Sequence, residues 1–190
     1  MIPHWNSAGV IPPIRPGQAG HSSDRSPYIV CLGTVVERFA TSPERITILE
    51  GFLNYRAELH NLGLTAGFQW IDGSFLEEIE VLESRTPRDV DVVTFVKFPV
   101  GENQASVYGR APDLFNHEQV KNTYKVDHYL MELGQPTEAW NVRNIAYWYS
   151  MWSHRRDGLW KGFIQVDLDP SQDDDAQIAL KANKGDDHAE

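Results

Sequence analysis

Between Asp72 and Phe95 the chain places a Gly-Ser turn, Asp72-Gly73-Ser74, ahead of an Asp-x-Asp, Asp89-Val90-Asp91, that opens an apolar strand. No other stretch constrains the fold as tightly. In a strand, residues at i and i+2 leave the same face, so the Asp89 and Asp91 carboxylates emerge together, roughly 6.6 Å apart along the chain. At an effective dielectric near 20 their mutual repulsion is about 2.5 kcal/mol, enough to raise one pKa unless a cation intervenes. An oxygen-only donor pair of this kind suits a hard divalent ion, magnesium or manganese, of the sort that also binds phosphate.

Thr65–Ile71 has the composition of a strand and Phe75–Leu82 that of a short helix, which puts Gly73 and Ser74 at a strand-to-helix turn. Free backbone N–H groups and the positive end of a helix can hold an anion at such a turn, and glycine lets the backbone come close. A nucleoside triphosphate fits that description.

The order strand, Gly-Ser turn, helix, Asp-x-Asp strand resembles the polymerase-β-like nucleotidyltransferase superfamily. Val10-Ile11-Pro12-Pro13, Thr41-Ser42-Pro43-Glu44-Arg45, Trp70 to Phe75 and Pro87 to Val93 are also similar to a small group of bacterial nucleotidyltransferase-like proteins, and the likeness runs over about residues 10–135. The resemblance implies an α/β (α+β) fold, a mixed sheet flanked by helices in a single domain. It further implies transfer of a nucleoside monophosphate from a triphosphate to a hydroxyl of a protein or small molecule, in a setting such as a toxin–antitoxin or defence system. Asp89 and Asp91 would hold two Mg2+ or Mn2+ ions, Gly73 and Ser74 the phosphates, and a third acid on a later strand would complete the set. Members of such a superfamily can keep the fold and lose turnover, so the rival expectation is a non-catalytic protein-binding partner on the same fold.

For the third acid, Thr123 to Leu133 alternates polar and apolar residues and reads as a strand with Asp127 near its centre. An aspartate in an apolar strand costs several kcal/mol if buried unpaired, so Asp127 belongs near solvent, a donor or a metal. Asp167 is the weaker alternative, since the acidic tail beside it accounts for it more simply. For the triphosphate tail, the nearest cations are Lys161, favoured, and Arg155 with Arg156, which read more simply as surface charge.

The remaining pattern describes one domain. With 190 residues, 41% of them hydrophobic, the chain can bury one sizeable core. No segment approaches the ~20 apolar residues of a membrane span and the first residues do not read as a signal peptide, so a cytoplasmic location is expected. A single cysteine, Cys31 in Tyr28-Ile29-Val30-Cys31-Leu32, is expected to be a small buried hydrophobe. The formal charge of −10 is concentrated at the end: from Asp167 onward eight acids face Lys181 and Lys184. That balance argues against non-specific nucleic-acid binding.

Residues 1–27 are rich in proline and glycine and are expected to form an arm lying on the domain or on a partner, anchored by Trp5, Val10, Ile11 and Ile14. Residues 28–168 form the expected domain, and 169–190 a tail expected to be disordered. Thr41 with Glu44 suggests a capping box for a helix whose face carries Ile46, Leu49, Leu53, Ala57 and a structural His60, ending at Gly63. An aromatic helix from about Thr137 to Arg156 is expected to turn its Trp and Tyr rings into the core, with stacking on a base or a subunit contact as the alternative.

Overall fold

The computed structural model of the chain describes residues 1–186. Five strands form one mixed sheet in the order β1-β5-β2-β3-β4: β1 Tyr28–Ile29, β2 Gly67–Asp72, β3 Val90–Val96, β4 Val126–Glu132 and β5 Ile164–Asp167. The central β2 is antiparallel to both β3 and β5, while β1 pairs parallel with β5 and β4 with β3. Consequently the C-terminal end of β2 shares one rim of the sheet with the N-terminal ends of β3, β4 and β5.

Helices α1 Leu32–Phe39, α2 Pro43–Asn61, α5 His117–Tyr124 and α7 Asp173–Asp186 pack together on one face. Phe39, Leu49, Phe52, Tyr55 and Leu59 are buried there to 1% exposure or less. On the other face lies α6 Ala139–Trp152, which touches the sheet through rings: Tyr149 on Trp70, Trp152 on Phe163 and Trp148 on Tyr129. Short helices α3 Ile79–Leu82 and α4 Gln104–Arg110 complete the set. Among the described residues no helix is long and apolar enough to cross a membrane.

Several local expectations need correction. The cap of α2 is Ser42, whose side chain accepts from the Arg45 N–H, one residue later than Thr41. Phe75–Leu82 is not one helix: a single 3-10 turn, Ser74–Leu76, breaks before α3. Arg45 is the physical reason. Wholly buried on α2, it donates to the carbonyls of Phe75 (2.6 Å) and Glu77 (2.7 Å), which a continuous helix would need for its own ladder. Cys31 is exposed rather than buried; it caps α1, its thiol lies 3.0 Å from the Thr34 hydroxyl, and that hydrogen bond lowers its pKa. The strand holding Asp127 begins only at Val126, because Lys125 takes a left-handed conformation (φ 58°) that ends α5.

The arm lies on the domain, with Val10 and Ile11 buried, Trp5 Nε1 donating to the Leu76 carbonyl and Gly162 N–H donating to the Ile11 carbonyl. The tail departs from expectation. Residues 173–186 form α7, which buries Ala176 and Leu180 against α1 and α2 and sends Asp173 to the buried Arg56 at 2.7 Å. A charged segment docks here because its first acid meets a guanidinium that would otherwise be buried alone. Part of the expected tail, 187–190, lies outside the described residues. His60 is structural, its ring nitrogens 2.8 Å from the Leu168 carbonyl and 3.3 Å from Asp173. The rings of α6 divide: Trp152 is buried, whereas Trp140 is 68% and Tyr147 55% exposed, since only the Trp148–Tyr149–Trp152 edge meets the sheet.

Candidate active site

Pairing register brings three acids into one row. Asp72 at the end of β2 is the partner of Asp91 in β3, and Asp91 is the partner of Asp127 in β4. Cross-strand partners share a face, here the α6 face, on which Phe68 and Trp70 also lie. Asp89, two residues before Asp91, joins them. The row floors a cleft of about 780 Å³ whose walls include Glu77, Lys121, Tyr129, Trp152 and Arg155.

Gly73 is shaped by this row. Its backbone lies at φ 89°, ψ −175°, a region open essentially to glycine alone, and a Cβ there would stand 2.8 Å from Asp91 Oδ2. The Gly-Ser turn is therefore the place where backbone presses against the acid row. Ser74 opens only a single 3-10 turn, so the helix-dipole part of the anion-holding expectation falls away; the Gly73 N–H is engaged by the Asp72 carboxylate, and the half-buried Ser74 is what the turn offers.

Charge alternates along the rim. Lys161, three residues before β5, is 5% exposed and lies 3.0 Å from both Asp72 and Glu77. Its ammonium, expected to face a phosphate, is thus held between two buried carboxylates. Lys121, on α5, lies 2.8 Å from Asp89 and 2.7 Å from Asp127. Asp127 also faces His117 Nε2 at 3.1 Å. Asp91 alone of the four has no hydrogen-bond or ion-pair partner among the described residues.

The electrostatics reflect that arrangement. Burial, and then the charges of Asp72, Asp127 and Asp89, push Asp91 up to about 7. Burial pushes Asp72 up to about 6 against the opposing pull of Lys161. For Lys121, burial alone would lower the pKa, but the two carboxylates outweigh it and raise it.

A hard cation suits this donor set, because every candidate ligand is a carboxylate oxygen and one of them, Asp91, is uncompensated. As they stand, however, no three acidic, histidine or cysteine side chains among the described residues close around a common point. Lys121 spans the gap between Asp89 and Asp127, which leaves Asp91 as the carboxylate with no cation against it among the described residues.

Asp167 does not join the site. It pairs with Phe68, four residues from Asp72 along β2 and so ~13 Å from the row, at the opposite rim. Arg155 lines the cleft but leans on Glu77, Glu83 and Asp157 at 3.5 to 3.6 Å, whereas Arg156 and Arg88 are exposed cleft residues. Sequence reasoning did not assign Asp72, Lys121 or His117. Asp72 carried a signal, standing directly before Gly73; Lys121 and His117 carried none, since nothing local ties a helix cation to a strand acid.

The fold and site define a mixed α/β single-domain protein with an acidic cleft on the rim of a five-stranded sheet. The chain belongs to a family of unknown function, DUF6932, which matches residues 3–167 and so spans the arm and all five strands. No curated protein and no solved structure matches the chain.

Proposed function

We propose that the chain is a metal-dependent nucleotidyltransferase of the polymerase-β-like kind, transferring a nucleoside monophosphate from a triphosphate to a hydroxyl of a protein or small molecule. The observation that carries this reading is the row Asp72–Asp91–Asp127 on adjacent strands, with the positive-φ backbone of Gly73 close against Asp91. In the reaction the acceptor oxygen bonds to the α-phosphorus, the bond to the leaving pyrophosphate breaks, and the hydroxyl proton passes to a carboxylate, for which Asp127 is the candidate. One Mg2+ or Mn2+ ion held by Asp91, with Asp89 beside it, would neutralise phosphate charge. Ser74, in the turn that Gly73 makes, would hold phosphate oxygens through backbone and hydroxyl donors, and the exposed Arg88 and Arg156 take over the role first given to Lys161.

A second reading has its own support. The exposed Trp140, Tyr147 and Met151 of α6, at i, i+7 and i+11, make an apolar strip that ends at the cleft, which Met151 lines, as a fold-retaining protein that binds a protein partner would present. The two readings separate in a thermal-shift series. A triphosphate with magnesium should raise the melting temperature by more than either component alone, as ligand binding to the native state requires. Incubation with labelled nucleotide and candidate acceptors then reads transfer directly. No shift with any of the four common triphosphates at millimolar concentration would sink the enzymatic reading.

A further inference from the structure

Five carboxylates, Asp72, Glu77, Asp89, Asp91 and Asp127, meet at the rim against Lys161, Lys121 and Arg155. Lys161 lies against Asp72 and Glu77, Arg155 stands 3.5 Å from Glu77, and Lys121 lies between Asp89 and Asp127 at 2.8 and 2.7 Å. Three of the five negative charges are thereby offset, and the remainder equals the charge of one divalent ion. Geometry agrees with the charge balance, because Asp91 is the acid without a cation and it stands between the two lysine-bound flanks.

Lys121 keeps 42% of its side chain open to solvent, but the helix that carries it is fixed in place. Its helix is capped at its start by Asn116, whose side chain accepts from Gln119 N–H, and is closed by the left-handed Lys125. Beneath it, α2 approaches so closely that a Cβ on Gly51 would overlap the Tyr124 carbonyl. Val120, the neighbour of Lys121, is buried. The helix therefore presents the Lys121 stem to the strand ends from a fixed position, and His117, one turn earlier, reaches the other oxygen of Asp127 at 3.1 Å.

We infer that Lys121 is a resident cation of this site: its ammonium fills the place between Asp89 and Asp127 where a second divalent ion would bind, so the chain takes a single ion, on Asp91. The inference rests on the metal-binding part of the function proposed above and goes beyond it by setting the number of ions. It also gives Lys121 a positioning role, holding Asp89 and Asp127 without metal.

The test is equilibrium binding of Mn2+, monitored by electron paramagnetic resonance of the free ion, on the intact chain and on Lys121→Met, Lys121→Arg and Asp91→Asn. Expected are one ion per chain for the wild type and Lys121→Arg, two for Lys121→Met, and at least tenfold weaker binding for Asp91→Asn. Equal stoichiometry in wild type and Lys121→Met overturns the role of Lys121 and leaves the metal reading standing if Mn2+ binds. Absence of binding in every variant overturns both. Should Lys121→Met fail to fold, nuclear magnetic resonance of the wild-type Lys121 side chain decides: its Cε–Hε signals should stay in place at saturating Mg2+, and a shift to the position of a free lysine would refute the inference.

Discussion

Asp72 and Asp91 face each other as partners across the β2–β3 pair, and only Asp72 has a lysine against it. Asp91 consequently keeps its proton up to about pH 7 in the folded chain, against an ordinary value of 3.8. A folded-state pKa raised in this way favours the native state fully below the ordinary value, and that advantage is lost as pH rises through about 7. Asp91→Asn, which cannot ionise, should therefore melt higher than the metal-free wild type at pH 8, with the gap closing toward pH 4. Calorimetry at four or five pH values checks this; a gap independent of pH would show that Asp91 ionises freely.

Removing a carboxylate should separate stability from activity. Asp89→Ala, Asp91→Ala and Asp127→Ala are each expected to abolish nucleotide transfer while the chain stays folded. Full turnover in Asp127→Ala would remove that residue from the role of proton acceptor, and Asp167, at the far rim, is not a substitute.

Gly73→Ala tests the close approach at the turn. The backbone there lies in a region that costs an L-residue of order 1–3 kcal/mol, and the new methyl would stand 2.8 Å from Asp91 Oδ2. Stability should fall by about that amount, and any transfer activity should fall further because Asp91 must move. A stable, active Gly73→Ala would mean that the turn can open without cost.

Lys161→Met distinguishes a structural lysine from a phosphate ligand. Taking one partner from a buried ion pair costs about 3–5 kcal/mol. For a chain of this size that corresponds to a loss in Tm on the order of 10 °C. A phosphate-binding lysine would instead leave Tm unchanged and raise KM for the triphosphate.

Truncation after Asp169 removes Asp173 and leaves Arg56, 0% exposed, without its carboxylate. A drop in melting temperature on the order of 10 °C is expected, from the same imbalance together with the lost burial of Ala176 and Leu180. Arg56→Met in the truncated chain should recover part of it. An unchanged melting temperature would mean that α7 contributes nothing to the domain.

Local pattern alone located much of this molecule. Composition between turns placed β2, the apolar run after Asp91 placed β3 and period-two alternation placed β4, each to within a few residues; the helical spacing of Ile46, Leu49 and Leu53 placed α2, and the Gly-Ser turn and Asp-x-Asp were legible because their geometry depends on neighbours in sequence. Asp127 was legible as an aspartate in an apolar strand, but its place beside Asp91 came from strand order and register. Which charges are buried was decided only by the tertiary structure. Lys161 meets Glu77 across 84 residues and Arg56 meets Asp173 across 117, and each charge, taken alone, has the composition of solvent-exposed sequence. Burial of an ion is favourable only with its partner in place, and no local pattern names a partner so distant. The acidic tail became a docked helix for that reason, and Lys161, expected at a phosphate, lies between two buried acids.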